Sequence, residues 1–167
     1  MTLYDFASID KSSTDIQKYR VDRFILYPTH WQNYPNQVQL AWNKLKFTKQ
    51  NLTNVPNNQS GVYSFVAEAG IANHPACSYL LYIGITEKQN FRKRYQQYLQ
   101  EPQKRKPRMH IAKMINNWSG HLWFYYAQIS QTNLISTIED DLITAFTPPY
   151  NYEYPANIRS TMKLVFS

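Results

Sequence analysis

The stretch 61–85, GVYSFVAEAGIANHPACSYLLYIGI, decides the fold of this chain. Its two ends, 62–67 and 79–85, are rich in β-branched and aromatic residues, which favour β-strands. The segment between them contains Gly70 and Pro75, residue types that favour turns. We therefore expect an antiparallel hairpin with a long connecting loop.

Downstream of the hairpin, the sequence predicts helices and a further strand. Phe91, Tyr95 and Tyr98 fall on one face of a helix, so this helix should pack its aromatic stripe inward. Residues 122–129 have the composition of a third strand. The other elements predicted in this half are helices over about 111–118 and 133–146 and a short terminal strand at 162–166.

Upstream of the hairpin, the polar and turn-rich segment 51–60, NLTNVPNNQS, reads as a linker. Before it, residues 24–27 form a short strand-like run. Apolar residues at helical spacing then predict a helix over 37–47. No residue of this upstream region has an evident chemical role.

The length of 167 residues and mass of 19.8 kDa suit one main domain with a sizeable core. We expect an accessory N-terminal extension over 1–60, a compact domain over 61–151 and a C-terminal tail over 152–167. The expected fold class is α/β, with a small antiparallel three-stranded sheet flanked by helices.

Composition excludes several classes of protein. Cys77 is the only cysteine and the four histidines lack ligand spacing, so we expect neither a disulfide framework nor a structural zinc site. No apolar run has the length of a membrane helix, and the N-terminus carries Asp5, Asp10 and Asp15 instead of a basic head before an apolar stretch. We expect no membrane partner and a reducing, cytoplasmic compartment.

The positive charge is concentrated in one part of the chain. The net charge is +7, and residues 88–113 hold nine lysines and arginines against a single acid, Glu101. Such a patch attracts polyanions such as nucleic acid through counterion release, and Phe91, Tyr95 and Tyr98 within it could add stacking. The alternative interpretation is a solvated helix face and loop.

Five short motifs follow one another in a set order. They are GVY at 61–63, YIG at 82–84, the arginine-bearing NFRKR at 90–94, EDDLI at 139–143 and PPYN at 148–151. Any one of these motifs alone is weak evidence for a protein family, whereas their order along the chain is specific. Through this order the chain resembles the GIY-YIG nuclease family, which is named after the pair of tripeptides in the hairpin.

The resemblance implies a DNA endonuclease that hydrolyses phosphodiester bonds with one metal ion, Mg²⁺ or Mn²⁺. It implies that Tyr63 acts as general base or positions the attacking water, and that Tyr82 orients the water or binds the phosphate. Arg94 would be the transition-state cation, because its guanidinium matches the geometry of a phosphate. Glu139 would hold the metal, and Asn151 would support the edge of the site.

Each tyrosine also has a purely structural interpretation. The phenol of Tyr63 has an ordinary pKa near 10, so a base at neutral pH would need that pKa lowered by about two. Otherwise Tyr63 is a strand residue with a buried ring, and Tyr82 is its cross-strand aromatic neighbour. Tyr98 lies four residues after Arg94 on the same helical face, where it could assist the site or serve in packing.

The other motif residues leave alternatives open as well. Ser136 and Glu139 fit a capping box, and Asp140 or Asp141 could be the relevant acid. Asn151 beside the prolines could be only a turn former. Arg92 projects about 200° from Arg94 on the helix, so only one of the two can face the site.

Further residues are expected to bind the nucleic-acid backbone or its bases. DNA is the expected partner, with RNA as an alternative, and a homodimer is one way to cut both strands. The main alternative function is a non-catalytic nucleic-acid-binding module on the same fold. The expected binding residues are Arg92, Lys93, Tyr98, Lys104, Arg105, Lys106, Arg108, His110 and Lys113.

Overall fold

The structure, a computed structural model, describes residues 20, 22, 24–35, 38–71, 74 and 78–166, without the side chains of 165 and 166. Cys77 and the predicted start of a helix at residue 37 lie outside these residues. The helices are α1 (Pro28–Gln32), α2 (Phe91–Gln100), α3 (Met109–Asn117), α4 (Ile135–Phe146) and α5 (Ala156–Phe166), and the strands are β1 (Asn43–Lys46), β2 (Gly61–Glu68), β3 (Ser78–Thr86) and β4 (Leu122–Gln128).

The fold is α/β, with four strands in one antiparallel sheet of order β1-β4-β2-β3. The predicted hairpin is confirmed as β2 and β3, and the predicted third strand is β4. The expected strand number of three was wrong, because residues 43–46 of the upstream region pair with β4. The division of the chain at residue 60 stays a prediction.

The extra strand lies where a helix was predicted over 37–47. The sequence there also alternates, since Leu45 and Phe47 are partly buried while Lys44 and Lys46 are exposed. Phe47 contacts the rings of Phe65 and Tyr95, with centroid distances of 5.1 and 4.8 Å. Pairing with β4 and this aromatic contact outweigh the helical spacing, as tertiary context commonly does for short segments.

Helices cover both faces of the sheet. On one face, the aromatic stripe of α2 packs with Phe65 and Phe124 on the strands, and Ile111 and Met114 of α3 belong to the same core cluster. On the other face, α4 contributes Ile135, Ile138, Leu142 and Ile143 to a second core cluster. The inward stripe predicted for α2 is thus confirmed.

Two smaller predictions were wrong. Residues 24–27 are not a strand, and the predicted strand at 162–166 belongs to helix α5. In α5, Ile158 and Met162 are buried four residues apart, which places both on the face that packs inward. None of the described helices is both long enough and apolar enough to span a bilayer.

Candidate active site

The hairpin packs its first motif tyrosine against a glycine. Tyr63 on β2 is paired with Gly84 on β3, and the Tyr63 ring lies directly over that glycine. A Cβ atom on Gly84 would meet the Tyr63 hydroxyl and would lie 2.7 Å from Tyr63 Cζ and 2.9 Å from Tyr82 Cε1. The glycine of the YIG motif therefore makes room for both tyrosine rings.

Tyr63 is almost completely buried, at 1% exposure. Its ring stacks on Phe124, and its hydroxyl forms a 2.9 Å hydrogen bond with the hydroxyl of Tyr98, which is fully buried. Burial, with a further contribution from Tyr82, raises the pKa of Tyr63 well above its ordinary value, and the nearby Arg94 only partly opposes this. The lowered pKa that a tyrosine base requires is therefore absent, and Tyr63 is a neutral phenol here.

A cavity of about 570 Å³ lies beside β3, an outermost strand of the sheet. It brings together three of the five expected catalytic residues, Tyr82 from β3, Glu139 from α4 and Asn151 from the segment after α4. Arg108, which immediately precedes α3, and His110, in the first turn of α3, line the same space. Residues distant in sequence thus converge on one concave site. Its other lining residues are Asp140, Ile143, Tyr152, Glu153, Tyr154, Pro155, Ala156 and Arg159.

Asn151 supports the strand that carries Tyr82. Its Oδ1 accepts a 2.9 Å hydrogen bond from Ile83 N, and its Nδ2 donates a 2.8 Å bond to Ile83 O. The backbone N–H of Tyr150 also donates to Leu81 O at 3.0 Å. The segment after α4 therefore satisfies part of the outer edge of β3 as a neighbouring strand would, and both polar atoms of the Asn151 amide are engaged in doing so.

Glu139 presents a half-buried carboxylate to the cavity. Burial raises its pKa to about 7, with further contributions from Asp140 and Glu87 and an opposing one from Arg94. No hydrogen bond or ion pair to Glu139 is found within the part of the chain that the structure describes. The capping-box alternative does not hold, because α4 begins at Ile135 and Ser136 lies inside it.

The donor set at Glu139 suits a hard divalent cation. One carboxylate, together with waters and phosphate oxygens, is a usual environment for Mg²⁺. Across the described residues, no group of three or more His, Cys, Asp or Glu side chains is arranged to hold a metal. Any metal here would therefore depend on Glu139 and on the substrate, as the resemblance implies.

The two arginines of α2 have different surroundings. Arg92 donates to the backbone carbonyls of Val55 and Thr53 at 2.7 and 2.8 Å, so it ties α2 to the segment before β2. Arg94 donates to Gln97 Oε1 at 3.2 Å, and among the described residues its buried Nε has no partner. Arg94 lines a separate cavity of about 430 Å³, although its charge influences the pKa of both Tyr63 and Glu139.

Arg108 lines the Glu139 cavity, and Glu101 holds its guanidinium there. Glu101 is 1% exposed, and it accepts bonds from Arg108 Nη2 at 3.0 Å, from Arg108 N at 2.8 Å and from Lys104 Nζ at 2.7 Å. Burial alone would raise the pKa of Glu101, but these bonds lower it to about 2. The guanidinium also lies over the Tyr98 ring, 5.1 Å from its centroid.

His110 is the remaining titratable group of interest in the cavity. Its ring lies 4.6 Å from that of Tyr152, and burial, assisted by the charge of Arg108, lowers its pKa. The imidazole is therefore neutral at neutral pH and can accept a proton. Sequence patterns did not reveal that Tyr152 and Arg159 of the tail would line this site. The one sequence pattern that could have indicated α5 is the apolar pair Ile158 and Met162, four residues apart as on one face of a helix.

The remaining expected nucleic-acid ligands are distributed around the site. Lys93 lines the cavity that contains Arg94, and Lys113 lines a larger cavity near the C-terminus. Tyr98 has no exposed surface and so can act only through its neighbours, among them Tyr63, Tyr82 and Arg108. Lys104, Arg105 and Lys106 are exposed on the loop between α2 and α3.

Comparisons of the chain with known protein families, curated proteins and solved structures find no match.

Proposed function

We propose that this chain is a metal-dependent DNA endonuclease of the GIY-YIG type. The observation that carries the proposal is the shared cavity of Tyr82, Arg108, Glu139 and Asn151, into which an unpaired carboxylate opens. The same cavity holds an acid, a guanidinium and a neutral imidazole, which are the groups that phosphodiester hydrolysis needs. Lys104, Arg105 and Lys106 would bind phosphates of the DNA backbone beside the cavity.

Each group has a role in this proposal. Glu139 would hold a Mg²⁺ or Mn²⁺ ion, which when bound stabilises charge on the phosphoryl and leaving oxygens. Arg108 would bind a phosphate oxygen, with Arg94 adding positive potential. The water oxygen would bond to phosphorus as the bond to the leaving sugar oxygen breaks, the proton of the water would pass to His110, and the leaving oxygen would take up a proton from solvent. Tyr82 would orient the water.

A non-catalytic nucleic-acid-binding module is the second candidate function. The buried Tyr63 favours it, because a phenol without solvent access and with a raised pKa cannot serve as a general base. In the nuclease proposal, Tyr63 instead holds the Tyr98 hydroxyl in place. A module that only binds nucleic acid would not require a carboxylate such as Glu139, which has no ion pair among the described residues, in the same cavity as Arg108.

Plasmid nicking separates the two functions. Supercoiled plasmid is incubated with the protein and Mg²⁺ or Mn²⁺, with EDTA as the control. The nuclease proposal predicts nicked circles only with the metal. Intact plasmid together with a gel shift in the same samples would instead support the binding module.

A further inference from the structure

A second and larger cavity adjoins the Glu139 cavity. Its volume is about 860 Å³, and it shares Tyr152, Glu153, Tyr154 and Arg159 with the lining of the first cavity. The two cavities therefore share part of their wall, and Arg159 belongs to both. The motifs that suggest a nuclease leave this cavity without a role, and six of its ten lining residues come from the tail after residue 151.

The lining of the second cavity combines cations with aromatic surface. Arg159 and Lys163 project from one face of α5, four residues apart, and Lys113 projects from α3. Tyr152 is 64% exposed, and its ring packs beside the His110 ring at the boundary of the two cavities. Positive charges beside accessible aromatic rings are the usual means of holding single-stranded nucleic acid.

The acids of this cavity do not cancel that character. Asp22 Oδ2 already accepts hydrogen bonds from Trp118 Nε1 at 3.1 Å and from Tyr150 Oη at 3.3 Å. Its carboxylate therefore also holds the wall of the cavity. Glu153 is the other acid, so the lining carries three cations, Lys113, Arg159 and Lys163, against two acids.

We propose that this cavity binds one unpaired nucleotide of the strand whose phosphate lies at Glu139, with its base against Tyr152. The proposal rests on the proposed function and defines its substrate class. Bases in an intact duplex are stacked and paired, so they cannot enter a concave site without being extruded. The preferred substrate is therefore a duplex with a single-stranded extension, flap or bulge.

Fluorescence anisotropy in EDTA tests this inference without cleavage. The probes are a short blunt DNA duplex and the same duplex with a single-stranded extension of a few nucleotides at the 5′ or the 3′ end. The variants are Tyr152→Ala and Lys163→Ala. Their matched controls are Tyr79→Ala and Lys49→Ala, which replace exposed residues that line neither cavity.

The wild type should bind one of the extended duplexes about tenfold more tightly than the blunt duplex, the effect of one base stacked on an aromatic side chain. Tyr152→Ala should abolish this preference and leave blunt-duplex affinity unchanged. Lys163→Ala should reduce the salt dependence of binding to the extended duplex by about 0.7 in slope. Both control variants should keep the wild-type preference.

Equal binding of blunt and extended duplexes by the wild type, or a preference that survives Tyr152→Ala, would overturn the inference. Absence of binding to all three probes would overturn it as well. The nicking assay judges the nuclease proposal separately. If the wild type prefers an extended duplex, Tyr152→Ala loses that preference and no plasmid is nicked, the subsite stands and the enzyme is refuted. If plasmid is nicked but the wild type shows no preference for extensions, the enzyme stands and the subsite is refuted.

Discussion

The loop around Glu101 and the cavity around Glu139 each withdraw a carboxylate from water, with opposite electrostatic outcomes. Glu101 receives three hydrogen bonds from Arg108 and Lys104, and its pKa is lowered to about 2. Glu139 has acidic neighbours and an opening to the cavity, and its pKa is raised to about 7. Burial alone therefore does not determine the charge state of a carboxyl group.

The difference indicates what each region does. A carboxylate whose charge is fully matched stabilises the fold, and here it aims Arg108 at the cavity. A carboxylate that is held among other acids is poorly stabilised until a cation arrives, which is typical of functional sites. The Glu101 loop would thus bind and position, while the Glu139 cavity would carry the chemistry.

The largest effects should distinguish the arginines near the site from the exposed loop cations. Arg94→Ala and Arg108→Ala should each lower the single-turnover cleavage rate by about 100-fold or more, because each removes positive charge from the transition state. Changing Lys104, Arg105 and Lys106 together to alanine should mainly weaken binding and flatten its salt dependence. Cleavage rates at saturating protein and DNA affinities in EDTA measure the two effects.

Equal losses of affinity and unchanged turnover in all of these variants would break the proposed division. A loss of turnover in Arg108→Ala but not in Arg94→Ala would sharpen it, because of these two arginines only Arg108 lines the cavity that contains Glu139. Thermal unfolding of each variant serves as the control for folding.

A smaller effect is expected on stability. Glu101→Gln leaves Arg108 and Lys104 without a charged partner, and we expect a loss of about 2 kcal/mol in the free energy of unfolding. Both cations are partly exposed, so water limits the loss. In the control Lys44→Ala, which breaks the more exposed pair with Glu68, the loss should stay below about 1 kcal/mol. Denaturant unfolding compares them, and equal losses would show that Glu101 is no special anchor.

A further difference is expected in the pH dependence of stability. The raised pKa of Glu139 means that the folded state favours its protonated form, so its contribution to stability becomes unfavourable as pH rises from about 4.5 through 7. The wild type should therefore lose stability relative to Glu139→Gln across that window in metal-free buffer. The wild type should be more stable than Glu101→Gln by a constant free energy of unfolding from pH 5 to 8. This difference should disappear as pH falls towards 2, because the Glu101 carboxylate is then protonated. Parallel curves for the two variants would contradict the comparison.

Local patterns were sufficient for the central elements of the fold. The strand composition of the hairpin and the aromatic spacing of α2 were confirmed, because their own residues form the core. β1 was missed because its pairing with β4 depends on residues 80 positions away. The helix α5 was missed because, of its described side chains, only those of Ile158 and Met162 are buried on its inner face.

The sequence named the motif residues of the site but not how their side chains are used. Whether Tyr63 was exposed or buried depended on Phe124 and Tyr98, which come from other elements. The orientation of Arg108 likewise depends on the buried carboxylate of Glu101. Side-chain environment of this kind arises from packing, so residue spacing alone cannot predict it.

The most direct test of the account is the single-turnover cleavage rate of Glu139→Gln with Mg²⁺, beside the wild type and Asp140→Asn. We expect Glu139→Gln to cleave about 1,000-fold more slowly while its DNA affinity in EDTA stays within a few-fold of wild type. Asp140→Asn, at the neighbouring exposed acid, should lose far less activity. Cleavage by Glu139→Gln at the wild-type rate would contradict the assignment of this cavity as the active site.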